Sequence, residues 1–456
     1  METEQRFNPQ VAQWFQDHAE TVMDLAKALW EEPEISMEEY RACQRTKEFM
    51  EAQGFRVETY HCRYPDRPAN TVVAEAGEGS PVIGFYGEYD ALPGLGQEAV
   101  PYRAPKEGAG HGCGHCLMTP ACASAAAAAY AAMEAEGLPG TIRFIACPAE
   151  ETVEGKPWLF RHGAFDGLDC CLSWHPTPYD LMPAEGVLQA ASSYRFEFSG
   201  TAAHAAISPE AGRSALDAAE LMNVGVQYLR EHLTSDVRIN YTYLNTGGPA
   251  NVIPEYAATH YIVRARDMKK VEETAERVKA CCEGAALMAG VQGKCTQLLA
   301  NSETVIVHSF NRFLYEAILA VPPIQYDAQD QAFAQQLHES VFGPDAGSED
   351  PLPKGVDPPT GKDDYYTGST DAGYLTKVVP TARLFGLGIV RDLPGHHWGV
   401  TASVGSGIGR KAAVQVGKVL AQCAVETARH PERIEEWKQE LHDKVGDVVV
   451  PLLKED

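Results

Sequence analysis

The chain has 456 residues, a 45% hydrophobic and 22% charged fraction, and 38 Lys plus Arg against 63 Asp plus Glu, a formal charge of −25. That length suits two or three domains with a large core, and the composition excludes intrinsic disorder, collagen and coiled coil as descriptions of the whole. The acidic balance would repel nucleic acid and anionic membrane, so neither is expected as a partner.

The opening residues, METEQRFNPQVAQWF, lack the basic start and apolar core of a signal peptide. No apolar run approaches the roughly 20 residues of a membrane span. Twelve cysteines, with adjacent pairs at Cys170-Cys171 and Cys281-Cys282, do not resemble a secreted disulfide framework. A soluble, cytoplasmic protein with reduced thiols is expected.

Two helices are predicted at 11–32 and 37–53; Pro33 breaks the first, Ser36 can cap the second and Gly54 stops it. Short apolar runs at 71–76 and 82–86 read as buried strands. Thr119 and Pro120 form an N-cap and N1 pair for an Ala-rich helix to Glu136, ended by Gly137 and Pro139. Further strands at 141–147 and 169–174 complete the alternation of a mostly parallel central sheet covered on both faces.

Near residue 190 the pattern changes. Segments 192–198, 238–244 and 258–264 alternate polar and apolar residues, with helices at 214–233 and 269–288 and a closing strand at 294–299. The order βαββαβ is that of a two-layer, ferredoxin-like unit. The predicted fold class is therefore α/β: a catalytic domain of residues 1–189 and 303–456, interrupted by an inserted α+β domain, 190–302. A loop at 343–366, rich in Pro, Gly and Asp, has no periodicity and suits a lid or a mobile segment.

Unusual residues follow several predicted strands: Gly110-His111-Gly112-Cys113-Gly114-His115-Cys116, Pro148-Ala149-Glu150-Glu151 and Trp174-His175-Pro176, with Gly395-His396-His397-Trp398 far downstream. Ligand sites in open α/β sheets gather at the carboxyl ends of strands, so these stretches can converge. Each is weak alone, since a His beside Pro is more often structural and paired Glu residues are usually a solvated surface. Together they supply the thiolate, imidazole and carboxylate donors of zinc or manganese sites. In the Glu-Glu pair one carboxylate can hold metal while the other moves a proton. A rival reading takes Cys113-Gly-His-Cys116 as a thiol redox motif, but it follows a long Pro- and Gly-rich loop rather than opening a small βαβ unit. A dinucleotide site fits less well, for Gly108–Gly114 departs from GxGxxG.

These stretches, with Gly87-Glu88-Tyr89-Asp90-Ala91-Leu92-Pro93, Gly200-Thr-Ala-Ala-His204, Asn251-Val-Ile-Pro254, Gly368-Ser-Thr-Asp371 and Val379-Pro-Thr381, resemble the aminoacylase and amidohydrolase metallopeptidases, family twenty of the metallopeptidases. The similar branch is that of p-aminobenzoyl-glutamate, hippurate and auxin-conjugate hydrolases. The motifs run in order over nearly the whole chain.

The resemblance implies two divalent metal ions per subunit, zinc or manganese. Cys113 would be shared between them, with His115, Glu151, His175 and His396 completing the shells; His397 is the alternative to His396. It implies that Glu150 is the general base and that Asp90 orients a ligand, although a turn-forming Asp fits there too. His204 would donate to the developing oxyanion in the partner subunit's site, and Asn251 and Arg264 would hold the carbonyl or carboxylate of the substrate. The local alternatives are a loop His at 204 and a solvated strand face at Arg264. The expected function is hydrolysis of an amide bond in a small carboxylate-bearing N-acyl amino acid, dipeptide-like or aminobenzoyl-glutamate-like substrate. A homodimer built through 190–302 is expected, within a larger assembly or alone. The alternative is a non-catalytic binding or partner subunit that keeps the fold. Cys116 departs from the Asp or Asn common at that position, and its spacing raises a Cys113–Cys116 disulfide that would displace metal.

Overall fold

The computed structural model describes residues 7–344 and 350–447, in two compact units. The first comprises residues 7–186, 305–344, 350–364 and 375–447; the second comprises 187–304 with Tyr365–Tyr374. The insert thus carries a short stretch that the sequence boundaries, 190–302, assign to the catalytic part. Gly368-Ser-Thr-Asp371 lies in it, bound within the second unit by Gln189 N donating to Gly368 O at 2.9 Å and by the Asn301 side-chain amide donating to Thr370 O. Residues 345–349 of the loop at 343–366 fall outside the described residues.

The first unit is built on a seven-stranded sheet in the order Arg56–Tyr60, Thr71–Glu78, Gly140–Cys147, Val82–Glu88, Cys170–Thr177, Thr381–Gly388, Met182–Pro183. Its four middle strands are mutually parallel, while the outer pairings are antiparallel. The sheet is therefore mixed, parallel at its centre as expected and antiparallel at its edges, because the flanking strands return by short local connections rather than by crossover helices. The parallel strands are apolar along their length, as burial on both faces demands.

Helix Pro9–Glu31 starts where the Asn8 side chain accepts from Gln10 N and Val11 N, and it buries a stripe that includes Val11, Trp14, Phe15, Val22, Leu25 and Leu29. Two sequence expectations fail nearby. The second helix runs Tyr40–Ala52, not 37–53, and has no Ser36 cap. Met37 has a φ of +70° and Ser36 turns its hydroxyl to Asp90 instead. The Ala-rich helix runs His115–Glu136, so Pro120 lies inside it, and Thr119, expected at the cap, donates its hydroxyl to Glu88 O at 2.9 Å. The early start places His115 on the first turn, at the sheet edge. By length and composition this helix could cross a membrane, contrary to expectation, but 89% of its apolar window is buried inside the protein.

The second unit is a four-stranded antiparallel sheet in the order Arg238–Asn245, Tyr256–Ala265, Ala190–Ser199, Gln292–Asn301. Numbered along the chain that is 2-3-1-4, the ferredoxin-like arrangement. Helices Ala215–Arg230 and Met268–Ala289 cover one face, capped by Ser214 and Asp267. Tyr194, Phe196, Phe198, Tyr261 and Val263 meet Met222, Val226, Val271 and Val278 in its core.

Candidate active site

The parallel strands of the first unit end together. Val82–Glu88 leads to Asp90, Gly140–Cys147 to the turn holding Glu150 and Glu151, and Thr381–Gly388 to the loop with His396; His175 lies near the end of Cys170–Thr177. Helix His115–Glu136 brings its first residue to the same edge. Two glycines make this approach possible. A Cβ on Gly87 would sit 2.6 Å from Thr119 Cα, so only glycine lets strand and helix close up, and Gly114 has a φ of +91° at the helix start.

The result is one cluster. Cys113 Sγ lies 3.3 Å from His175 Nε2. His175 donates through Nδ1 to Pro176 O at 2.8 Å, which leaves the Nε2 lone pair facing the thiol. His115 Nδ1 sits 2.9 Å from Asp90 Oδ1, so its Nε2 also faces inward, 3.3 Å from Glu88 Oε2 and 3.9 Å from Glu150 Oε2. Glu151 Oε2 is 3.5 Å from His396 Nε2. Two trios share the Cys113 sulfur: Cys113, His115 and His175, and Cys113, Glu151 and His396. A third is Glu88, His115 and Glu150. His397 accepts Gly399 N and caps the helix Trp398–Gly405, whereas His396, at a φ of +55°, turns to Glu151 and ties its N–H to Gly112 O at 3.0 Å.

The donor set fits divalent cations. Among the described residues, Glu88 Oε2, His115 Nε2 and Glu151 Oε1 are buried without a hydrogen-bond partner, and the first two lie 3.3 Å apart. Burial, with the nearby glutamates adding to it, pushes the Cys113 thiol up to about 12, the state expected of a thiol with no cation beside it. Asp90, fully buried, accepts from three groups: His115 through Oδ1, and Ser36 Oγ at 2.7 Å and Glu151 N at 2.9 Å through Oδ2. It orients one imidazole and one turn at once. Cys116 packs in the apolar core as a free thiol, which takes half of the redox motif away from the cluster.

Glu88 and its partner Lys156 were not among the sequence candidates. Lys156, 1% exposed, donates to Glu88 Oε1 at 2.5 Å. Glu88 was visible in the motif beside Asp90; Lys156, in EGKPW, carried no signal. His111 was also missed. It meets Leu29 O at 3.1 Å, and burial together with the charge of His115 pushes it down to about 4. The unfolded imidazole titrates near 6.5, so the stability contributed by neutral His111 is present above that pH and is lost as pH falls toward 4, about 3 kcal/mol in all. Unfolding measured at pH 7 and pH 5 should show a shallower pH dependence in His111→Gln than in wild type; parallel curves refute this.

The remaining candidates belong to the second unit. His204 and Asn251 are neighbours there, joined by the Ala205 N to Asn251 O bond at 3.0 Å, and both are exposed. The Nδ1 of His204 accepts from Ala206 N and Ile207 N, each at 3.2 Å, which leaves the proton on Nε2. Arg264 lies at the opposite end of strand Tyr256–Ala265, across from Arg238 and about 26 Å along the strand from Tyr256. It does not converge with His204 and Asn251 within the unit.

Thiol, imidazole and carboxylate gathered at the carboxyl ends of parallel strands form the donor set of a divalent-metal site. The family model for peptidase family M20/M25/M40 matches residues 84–401, and the chain belongs to that family, acting on amide bonds. It is 32% identical to a p-aminobenzoyl-glutamate hydrolase subunit of Escherichia coli over 93% of this chain and 92% of that one. It is 27% identical to Xaa-Arg dipeptidase of Mus musculus over 96% and 92%. Among solved structures, a dinuclear metal-binding peptidase of the M20 family from Bacillus subtilis shares the fold at a TM-score of 0.61 and 19% identity, covering 91% of this chain and 99% of that one. An aminobenzoyl-glutamate utilization protein from Klebsiella pneumoniae does so at 0.63 and 18%, covering 91% and 98%.

Proposed function

We propose that this protein hydrolyses the amide bond of a small carboxylate-bearing N-acyl amino acid, dipeptide-like or aminobenzoyl-glutamate-like substrate, using two divalent ions, zinc or manganese. Cys113, His115 and His175 would hold one ion, and Cys113, Glu151 and His396 the other. The observation that carries this reading is a single sulfur common to both trios, with Glu150 beside them and a member of neither. When bound, such ions polarise an amide carbonyl and acidify water at the site. Glu150 then takes a proton from that water and returns it to the leaving nitrogen. Asp90 holds the His115 ring and the Glu151 turn. His204, with its proton fixed on Nε2, suits donation to an oxyanion, and Asn251 and Arg264 are proposed substrate contacts. The relatives' names, a p-aminobenzoyl-glutamate hydrolase and an Xaa-Arg dipeptidase, support an amide next to a carboxylate. We place the enzyme in the cytoplasm as a homodimer formed through residues 190–302.

The test joins metal analysis to a hydrolysis screen of N-acyl and N-aminobenzoyl amino acids with added zinc or manganese. Two ions per chain and turnover of at least one such amide are expected. A fully loaded protein that binds these amides without cleaving any would favour the non-catalytic binding role.

A further inference from the structure

Residues 33–39 lie between the first two helices, although the sequence reads Pro33 as a break, Ser36 as a cap and 37–39 as the opening of the second helix. In the structure they form a buckle around the site. Ala91 N donates to Glu34 O at 2.8 Å, and Ser36 Oγ reaches Asp90. Glu39, with no exposed surface, divides its carboxylate between two donors: Ala149 N at 2.7 Å and Asn70 Nδ2 at 3.1 Å. Asn70 is fully buried too and accepts from Cys62 N at 2.8 Å, so this partner is itself fixed.

Ala149 has a φ of +56°. A residue with a Cβ adopts that left-handed conformation only where its surroundings impose it. One residue later comes Glu150, and one later again Glu151 N donates to Asp90 Oδ2 at 2.9 Å. The backbone amides on both sides of Glu150 therefore end on buried carboxylates, and the direction of its side chain is set from both sides. Asp90 also serves an imidazole of the cluster. Glu39 hydrogen-bonds to Ala149 and Asn70 and stands outside both trios, so its direct contact with the site is the Ala149 amide.

We propose that Glu39 is a positioning residue for hydrolysis, holding the left-handed turn at Ala149 that aims Glu150 at the reacting water. This rests on the reading of Glu150 as general base. A misplacement of about 1 Å in such a group costs on the order of 100-fold in rate. Glutamine keeps one oxygen for the Ala149 amide, while its NH2 replaces the acceptor that faces Asn70 Nδ2.

The experiment compares Glu39→Gln and Glu39→Leu in metal-loaded enzyme, using the amide turned over fastest in the screen, and measures hydrogen exchange of the segment 148–154 by mass spectrometry. Glu39→Leu should lower kcat by roughly 30- to 100-fold with KM within about threefold, and exchange at 148–154 should quicken while strand 140–147 stays protected. Glu39→Gln, which keeps the oxygen for Ala149 N, should recover part of kcat and of the protection lost in Glu39→Leu. Unchanged exchange in Glu39→Leu overturns the proposal, as does a glutamine variant as impaired as the leucine one. Where Glu39→Leu does not fold, Asn70→Ser, which frees the other Glu39 oxygen, must quicken the same exchange and lower kcat; no change in either overturns it. Glu150→Ala in the same assay separates the two ideas. If it turns over substrate like wild type, the base reading fails while the exchange result still decides whether Glu39 holds the turn.

Discussion

Glu150→Ala should lower kcat by about 10²- to 10⁴-fold, the range that a positioned proton-transfer group supplies, with KM little changed and both metal ions retained. The argument is geometric. Glu150 Oε2 lies 3.9 Å from His115 Nε2, close enough to reach a water among the donors, yet Glu150 belongs to neither trio built on Cys113. Removing it leaves every proposed ligand in place. Its neighbour gives the contrast: Glu151 stands with Cys113 and His396, so Glu151→Ala should lose an ion along with activity. Steady-state kinetics with metal analysis on both variants checks this. A Glu150→Ala enzyme within about threefold of wild-type kcat would show that the proton moves by another route.

The architecture was largely legible because periodicity reports burial. Alternating SSYRFEF and RINYTYL mark strands with one face on helices, and they form the antiparallel sheet of the second unit. The run TIRFIAC, apolar but for Thr141 and Arg143, marks a strand buried on both sides. The antiparallel edges were not legible, because a strand such as Thr71–Glu78 shows its burial in its sequence but not its direction. Local capping rules placed the Ala-rich helix at Thr119 and missed its start at His115, where Gly114, not a side-chain cap, makes the entry.

For the cluster, chemically distinctive residues at strand ends, with a family resemblance to order them, brought Cys113, His115, Glu151, His175 and His396 together as candidates. The choice between His396 and His397 turns on backbone conformation, which adjacent identical residues do not reveal. The supporting groups were hidden for a different reason. Ser36, Glu39 and Lys156 act through contacts spanning 54, 110 and 68 positions in the chain, and their local sequence reads as an ordinary cap, a helix start and a solvated lysine.

Lys156→Met should destabilise the fold by about 3–5 kcal/mol, while Lys156→Met combined with Glu88→Leu should cost much less. Burial opposes ionisation of Glu88, yet Lys156 and the neighbouring imidazoles hold its carboxyl below the usual carboxylate range. The ammonium is 1% exposed, 2.5 Å from Glu88 Oε1, and lies over the Tyr86 ring. A methionine of similar length fills the space and abandons a buried carboxylate, and that uncompensated charge is what makes breaking one half of such a pair costly. Replacing both partners by apolar side chains removes the charge with its counterion, so the penalty shrinks although one wall of the site is altered. The proposed ions would lie close to that carboxylate, so unfolding should be followed in chelator and again with metal restored. In chelator the single variant shows its full loss; with cations present to face Glu88 Oε2, part of that loss should return. A single variant that costs under about 1 kcal/mol in chelator, or a double variant that costs as much as the single, would mean that Lys156 does not hold the Glu88 charge in the fold.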